Sequence, residues 1–186
     1  MHSWYLFPLL LLLGAGPRVP WITIPLTVSL FTFDRADEAD WFVVNDGVMG
    51  GRSAGAVAVN AGTLRFTGTL VTQGGGFTSV RARRDADLSG EEGLELRVRG
   101  SGRPFEVELD DGLRRYGRSV SRRAPVPVSS EWTVVRVPFG ALRSSIFGQA
   151  VNAPPLDLEH IRSMGLYMVD GRDGPFSVEV DYIRSY

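Results

Sequence analysis

Alternating apolar and polar residues, separated by clusters of turn residues, constrain the fold of this chain more than any other feature of its sequence. Within Thr63–Leu70, Leu64 and Phe66 fall on one side. Arg65 and Thr67 fall on the other side, and a period of two is that of a β-strand with one buried face. The same period predicts strands in five later segments: Phe77–Arg83, Leu94–Gly100, Phe105–Gly112, Trp132–Phe139 and Phe176–Tyr186.

Helix is scarce in this pattern. One short helical turn is expected within Pro155–Met164, with Leu158 and Ile161 facing inward. Another is expected at Phe139–Leu142. Roughly eight to ten strands, at a spacing of about 8–12 residues, are typical of a two-sheet fold. We therefore predict an all-β fold, a single antiparallel β-sandwich of the jelly-roll type over residues 29–186, with one or two short helical turns.

The first 28 residues differ in character from the rest of the chain. Trp4–Gly16 is an apolar run of signal-peptide length, too short to span a bilayer as a helix. A second apolar stretch follows Arg18, but Pro20 and Pro25 interrupt it as a helix. Residues 1–28 are thus either an export signal or membrane anchor, or the product of a wrongly assigned start codon. The first interpretation predicts an exported or membrane-anchored protein, and the second a cytoplasmic one.

The composition excludes several classes of protein. A chain of 186 residues with 44% hydrophobic and 22% charged residues is typical of one globular domain rather than of a disordered segment. Because cysteine is absent, the fold uses no disulfide, thiolate metal site or cysteine nucleophile. The net charge of −1 gives no general attraction to nucleic acid, so we expect no nucleic-acid partner. All 20 basic residues are arginine, which we attribute to GC-rich coding and a bacterial source.

Arginine residues are clustered in three places along the chain. Asp and Glu residues near each cluster balance its charge. We therefore expect the clusters to lie on solvated sheet faces rather than in a nucleic-acid-binding surface. The clusters are Arg81, Arg83 and Arg84; Arg114, Arg115 and Arg118; and Arg122 and Arg123.

The segment Trp41–Val59 contains GRSAG, which has the G-x-S-x-G pattern of a catalytic serine at Ser53. A nucleophile elbow needs a helix after the serine and a base beside it. The residues that follow Ser53 are instead strand-like, and His160 is the one histidine after the leader. We therefore predict that Ser53 is not a nucleophile and that the protein is not an enzyme.

The same segment contains NDGVMGG, which we interpret as a glycine-dependent turn at one end of the sandwich. Its glycines permit positive φ and close backbone approach. Asp46 is expected to satisfy backbone amides within the loop, and Val48 and Met49 to pack into the end of the sandwich. A ligand-binding loop is an equally good interpretation. The candidate binding residues are Asn45, Asp46, Gly47, Met49, Gly50, Gly51 and Ser53.

No metal or cofactor site stands out from the sequence. Asp34–Asp40 contains four carboxylates that could bind calcium, but it lacks the spacing of an EF-hand. A solvated loop is the better interpretation. Gly100–Phe105 lacks the third glycine of a dinucleotide-binding loop, and Asp170 and Asp173 suit tight turns. We expect no cofactor and no metal.

Five blocks in this order resemble those of one known family. The most specific is WFVVNDGVMGGRS at Trp41–Ser53. The others are GGGFTSVRAR, VRGSGRPFEVEL, WTVVRVPFGAL and the ending Ile161–Tyr186. Together they resemble the complex I intermediate-associated protein 30 family over residues 29–186. Members of that family often have an acidic residue in the turn where this chain has Ser101.

The resemblance implies a galactose-binding-domain-like jelly roll and a non-catalytic role. Mitochondrial members of the family are assembly factors for respiratory complex I that act as chaperones. The implied partner is therefore a protein, namely the subunits of a respiratory or other membrane-associated complex under assembly. The alternative is a carbohydrate-binding module that uses the loops at one end of the jelly roll. Membrane contact is expected only through the N-terminal apolar segment, if that segment is retained. The family supplies no catalytic residues.

Overall fold

The alternating segments form strands, joined by tight turns. The computed structural model describes residues 27–186, which form fifteen β-strands and three short 3-10 turns. The strands are β1 Ser29–Phe31, β2 Phe42–Asn45, β3 Ala54–Asn60, β4 Thr63–Leu70, β5 Thr78–Ala86, β6 Gly93–Gly100, β7 Phe105–Asp110, β8 Arg114–Arg115, β9 Arg118–Ser119, β10 Ser121–Val126, β11 Thr133–Pro138, β12 Arg143–Ile146, β13 Gln149–Ala150, β14 Ile161–Met168 and β15 Gly174–Ser185.

The six predicted strands are all present, and their ends lie within three residues of the expected positions. For β4 the predicted bounds are confirmed, and Leu64 and Phe66 are fully buried as their alternation indicated. The total exceeds the predicted eight to ten mainly because β1, β8, β9 and β13 are only two or three residues long. Strands this short leave too few residues for a period to be recognised.

Two antiparallel sheets make up the sandwich. Sheet A has the strand order β11-β6-β15-β4-β3, and β1 pairs with the far end of β15. Sheet B has the order β13-β12-β10-β7-β14-β5-β2. The strands β8 and β9 form a separate hairpin outside both sheets. The predicted antiparallel β-sandwich is therefore confirmed.

The hydrophobic core lies between the two sheets and takes side chains from both. Phe66 of β4 and Phe176 of β15 meet edge to face, with ring centroids 4.8 Å apart. From sheet B, Val107 and Leu166 are fully buried in the same cluster. Each face of apolar residues that a strand presents is thus covered by the opposite sheet, which is what stabilises a sandwich.

Two of the three 3-10 turns lie within the predicted helical turns. The side chain of Asp157 caps one of them by accepting from the Glu159 amide at 3.2 Å. Leu158 packs against the core and Ile161 is buried, as predicted. A turn was expected at Asp46–Met49, but its 3-10 helical conformation was not. The three turns are Asp46–Met49, Phe139–Ala141 and Leu158–His160.

The arginine clusters differ in their surroundings. Arg122 is buried rather than solvated, with its guanidinium 3.5 Å from Asp111, while Arg123 lies 3.0 Å from Glu106. The prediction of a charge-balanced sheet face is wrong for Arg114–Arg118. These arginines lie on β8–β9 outside both sheets, and within residues 27–186 they form no salt bridge.

The predicted leader falls largely outside the described residues, because residues 1–26 are not among them. At the start of the described chain, the Val28 amide donates to Ser185 Oγ at 2.7 Å, and the Ser185 amide donates back to the Val28 carbonyl. Within residues 27–186, no helix has the length and apolar character needed to cross a bilayer. The domain boundary at residues 28 and 29 stays a prediction.

Candidate functional site at the Asp46 loop

The NDGVMGG segment joins β2 to β3, so it leaves sheet B and enters sheet A at one end of the sandwich. The chain first turns through the 3-10 segment Asp46–Met49. Gly50 then takes a left-handed conformation with φ of 83°, and its amide donates to the Gly47 carbonyl at 3.0 Å. The Gly51 amide donates to the Asp46 carbonyl at 3.2 Å. The turn thus reverses the chain within a few residues.

The Asp46 side chain is fully buried beneath this turn and accepts four hydrogen bonds. Its Oδ1 accepts from the Ser53 amide at 3.0 Å. Its Oδ2 accepts from the Ser53 hydroxyl at 2.7 Å and from the amides of Gly76 and Phe77 at 2.7 and 3.3 Å. The expectation that Asp46 satisfies backbone amides is confirmed, and two of those amides come from a second loop about thirty residues away.

These hydrogen bonds determine the ionisation state of Asp46. Burial alone would raise its pKa, because the charged carboxylate is taken out of water. The bonds from Gly76, Ser53 and Phe77 outweigh this effect and hold the pKa of Asp46 below its ordinary value. None of its hydrogen-bond partners in the described chain is a basic side chain. A buried negative charge is therefore balanced by backbone amides and one hydroxyl.

Two glycines of the site give the carboxylate the space it needs. A Cβ placed on Gly51 would lie 2.1 Å from the Asp46 Cγ, and one on Gly75 would lie 2.3 Å from its Oδ2. Gly50 is required for its left-handed backbone instead, since a Cβ there would meet no atom within 4 Å. Gly47 has neither a left-handed backbone nor a close neighbour. Position 47 therefore requires neither of the two properties that the glycines of the motif permit.

The Ser53 hydroxyl takes part in this buried network. Besides donating to Asp46, its Oγ accepts from the Val71 amide at 3.0 Å. His160 lies on another element, where its Nδ1 is 3.0 Å from Asp157 Oδ2. Ser53 thus connects two loops through hydrogen bonds. In the described chain its side-chain partners are the Asp46 carboxylate and the backbone of Val71.

Asn45 plays a similar part at the end of β2. Its Oδ1 accepts from the Thr78 hydroxyl at 2.7 Å and from the Gly55 amide at 3.2 Å. It therefore ties β2 to the beginnings of β5 and β3. Three of the candidate residues form hydrogen bonds inside the loop and stabilise its conformation. They are Asn45, Asp46 and Ser53.

The outer side of the loop is formed by the other candidate residues. Met49 is 54% exposed, which contradicts the expectation that it packs into the end of the sandwich. Gly47 and Gly50 are exposed as well. The Arg52 guanidinium donates to Gln73 Oε1 at 3.1 Å, so the second loop extends the same surface. A ligand or partner at this end would meet these exposed groups first.

Neighbouring loops are fixed to the same end of the sandwich. Asp173 Oδ1 accepts from the Thr72 amide at 2.7 Å, and this bond lowers the pKa of Asp173. Arg103 forms a two-pronged pair with Asp170, at 2.6 and 2.9 Å, which holds the pKa of Asp170 below its ordinary value. The loops around the Asp46 site are therefore connected to one another by polar side chains.

Two of the four carboxylates in the acidic segment Asp34–Asp40 have partners within the protein. The Glu38 carboxylate accepts from the amides of Thr32 and Phe33. Asp37 pairs with Arg35 at 2.8 Å. Within residues 27–186, no three His, Asp or Glu side chains are grouped so that they could hold a metal ion.

Gly75, Gly76, Phe77 and Thr78 belong to the site but were not among the predicted residues. The GGG sequence at 74–76 was the available signal, since a glycine cluster between predicted strands indicates a turn. Nothing in the sequence pairs it with Asp46, because the contact joins β2 and β5 across a long separation.

The sequence of this chain matches that of a known protein family. The profile of the family Complex I intermediate-associated protein 30 (CIA30) matches residues 31–180, which include the whole Asp46 loop. A mouse protein, Complex I intermediate-associated protein 30, mitochondrial, is 29% identical over 173 residues. That match covers 81% of this chain and 53% of the mouse protein.

A related nematode protein shows the same partial coverage. The Probable complex I intermediate-associated protein 30, mitochondrial, of Caenorhabditis briggsae is 23% identical over 180 residues. The match covers 84% of this chain and 53% of that protein. The chain thus spans about half the length of these relatives. They come from animals, so a bacterial source stays a prediction.

Several solved structures with a similar fold are carbohydrate-binding modules. A family 11 module from Clostridium thermocellum, in complex with a mixed-linked tetrasaccharide, superposes with a TM-score of 0.61 at 16% identity. The match covers 86% of this chain and 94% of the module. A family 30 module gives a TM-score of 0.56 at 19% identity, covering 87% and 88%. At such identities the likeness shows the jelly-roll fold alone.

The profile match extends over most of the chain and takes in β2, β5 and the two loops that enclose Asp46. The resemblance inferred from NDGVMGG and the later blocks is confirmed. This chain belongs to the complex I intermediate-associated protein 30 family.

Proposed function

We propose that this chain is a non-catalytic protein-binding domain that assists the assembly of a respiratory or other membrane-associated complex. The observation that carries this proposal is the family match over residues 31–180. The relatives named for complex I intermediates are about twice as long as this chain, so the proposal concerns the domain they share. Ser53, held by Asp46 and Val71, is assigned a structural role.

The exposed side of the Asp46 loop is the proposed contact surface for the protein partner. The buried hydrogen bonds of Asp46 fix the backbone of this loop before any partner binds, so little order has to be gained on association. Met49 protrudes from it, and a methionine side chain adapts to varied apolar surfaces. Arg52 and Gln73 add polar groups beside it. An adaptable apolar side chain beside polar groups is suited to binding the surface of another protein.

Affinity purification with crosslinking from cells of the native source tests both parts of the proposal. The baits are the full chain, its Met49→Asp variant and its Val134→Asp variant. Val134 is the matched control, because it is 50% exposed but lies on β11 of sheet A. An apolar contact at the centre of an interface contributes about 2 kcal/mol, so recovery should fall roughly tenfold or more for Met49→Asp alone.

The outcomes test the assembly role and the Met49 contact surface separately. Recovery of subunits of one membrane-associated complex with wild type supports the assembly role. Failure to recover any such subunit contradicts that role. Equal recovery with all three baits contradicts the Met49 surface while leaving the assembly role supported.

A carbohydrate-binding role is the alternative, and the jelly-roll fold supports it. Sugar sites commonly use an exposed aromatic ring as a platform. In the two loops that enclose Asp46, residues 45–53 and 71–78, no aromatic side chain is exposed. Trp132 has the guanidinium groups of Arg97 and Arg99 each 4.7 Å from its ring centroid. A sugar stacking on Trp132 would have to displace them. Calorimetric titration with a mixed-linked tetrasaccharide would favour this alternative if it gave a saturable binding heat.

A further inference from the structure

Two hairpins carry aromatic residues at turn positions that usually hold asparagine. The β8–β9 hairpin turns through Tyr116 and Gly117, with φ of 52° and 73°. The β12–β13 hairpin turns through Phe147 and Gly148, with φ of 50° and 76°. Two consecutive positive φ values are those of a type I′ turn, whose first position favours Asn, Asp or Gly. A bulky side chain is strained there, so turn formation does not explain either aromatic residue.

Both rings are exposed to solvent, and their two hairpins contact each other. Tyr116 is 85% exposed and Phe147 is 71% exposed, the two highest values among large apolar side chains in residues 27–186. The Arg118 guanidinium of one hairpin lies 4.6 Å from the ring centroid of Phe147 on the other. Arg115 donates to the carbonyl of Asn152, which follows β13. The two hairpin tips therefore form one continuous surface.

This surface carries concentrated positive charge. Residues 112–120 and 144–156 contain no Asp or Glu. Arg114, Arg115 and Arg118 form no salt bridge with any described residue, and Arg114 donates instead to the Gly117 carbonyl at 2.7 Å. A chain with a net charge of −1 thus presents three arginines without an acidic partner beside two exposed rings. We call these arginines, with Tyr116 and Phe147, the basic tip.

We propose that the basic tip docks on a lipid bilayer with anionic headgroups. Tyrosine and phenylalanine gain by leaving water at the interfacial level of a bilayer, and arginines beside them pair with headgroup phosphates. A stable protein interface needs about 800 Å² of complementary surface on each partner. The tips of two hairpins present a few exposed side chains instead, and a fluid bilayer can accommodate them without a matching surface. The contact adds to the membrane contact expected through the N-terminal segment and does not depend on the proposed function.

The basic tip lies away from the Asp46 loop, which permits an internal control. Glu106 of β7 pairs with Tyr167 near the Asp46 end, and Asp110, which precedes the β8–β9 hairpin, pairs with Ser163. The six residues of β7 therefore extend over about 20 Å from the Asp46 end toward the hairpin. Gln73, exposed beside Asp46, marks the opposite end of the sandwich.

A site-specific fluorophore tests the proposal in the full chain. Because the chain has no cysteine, Tyr116→Cys, Phe147→Cys and Gln73→Cys can each be labelled at one site with a polarity-sensitive dye. The dye reports its own surroundings, so an N-terminal segment that binds lipid does not mimic the signal. Vesicles of phosphatidylcholine with phosphatidylglycerol should shift the emission to the blue at positions 116 and 147. Position 73 should not shift, and pure phosphatidylcholine should have little effect.

Further variants separate lipid docking from a structural role of the rings. Tyr116→Asn and Phe147→Asn relieve the turn strain, so they should melt at or above the temperature of wild type. Together they should weaken binding to the anionic vesicles by at least about tenfold, as loss of buried aromatic surface requires. Each Arg→Gln change at 114, 115 or 118 should lower the partition coefficient by about fivefold.

Three results would overturn the proposal. One is unchanged emission at both hairpin positions with the anionic vesicles. Another is an equal shift at position 73, which would indicate adsorption without orientation. The third is a response at 116 and 147 to poly-glutamate but not to vesicles, which would assign the basic tip to an acidic polypeptide.

Discussion

Asp46 carries its charge inside the protein without a basic side chain beside it. Amides from two loops and the Ser53 hydroxyl take the place of water around the carboxylate. The sequence predicted part of this, since an Asp before glycines in a turn commonly accepts from nearby amides. It could not predict the contribution of Gly76, because residues thirty positions apart meet only after β2 and β5 have paired.

Substitutions of the three glycines in NDGVMGG should lower stability to different extents. Gly51→Val places a Cβ on the Asp46 carboxylate and should cost at least the roughly 1–3 kcal/mol of leaving buried polar groups unpaired. Gly50→Val meets no atom but must adopt a left-handed backbone, at roughly 1–2 kcal/mol. Gly47→Ala is the control and should change little. Thermal melts check this order, with about 2–4 °C expected per kcal/mol; a Gly51→Val variant as stable as Gly47→Ala would contradict it.

The stability contributed by Asp46 should depend on pH. Its pKa in the folded state is lowered from an unfolded value of about 3.9. The contribution is therefore fully present above the unfolded pKa and is lost as the pH falls through the folded pKa. Asp170 and Asp173 also have lowered pKa values, so wild type must be compared with Asp46→Asn. The difference in unfolding free energy between the two proteins should shrink as the pH falls from about 5 through the folded pKa of Asp46. A constant difference would mean that the Asp46 charge contributes nothing.

Strands with one polar face were predictable, and strands without one were not. β4 has an alternating sequence because its outer face is solvated. In β14 the outward Tyr167 is covered by Arg81 and Arg123, whose guanidinium groups lie 5.0 and 4.8 Å from its ring centroid. Residues 164–168 are consequently buried on both faces, and the period of two disappears. In β10 the buried Arg122 puts a charge where alternation requires an apolar residue. Because of these departures, the sequence pattern did not predict β10 and β14, two central strands of sheet B.

The pairing of the edge strand β3 depends on a glycine in β4. A Cβ on Gly68 would lie 2.1 Å from the carbonyl oxygen of Ala54 and 2.9 Å from the ring of Phe176. Gly68→Ala should therefore displace β3 from sheet A and lower the melting temperature. Hydrogen exchange should accelerate at residues 54–60 more than in β6. Thr67→Ala, the neighbouring control, should leave the exchange of β3 unchanged, and an equally slow β3 in Gly68→Ala would disprove the dependence.

At the scale of the whole molecule, one core serves both sheets. Phe66 of sheet A and Leu166 of sheet B are both fully buried in it, so neither sheet can lose its partner and keep its apolar face covered. We expect a single cooperative unfolding transition. Phe66→Ala and Leu166→Ala should each cost about 2–5 kcal/mol and lower the transition of the entire domain. Far-ultraviolet circular dichroism and tryptophan fluorescence should give coincident curves; two separated transitions in either variant would show that the sheets unfold independently.

The position of β15 in sheet A has a consequence for how the chain is made. This strand lies between β6 and β4 and also pairs with β1, yet every other strand of the sheet precedes it in the sequence. At a synthesis rate of about 5–20 residues per second, β1 leaves the ribosome roughly 8 to 30 s before its partner in β15 is made. During that time β4 and β6 have open edges toward the missing strand. The nascent chain is therefore exposed to aggregation and accessible to a chaperone or an export machinery until β15 emerges.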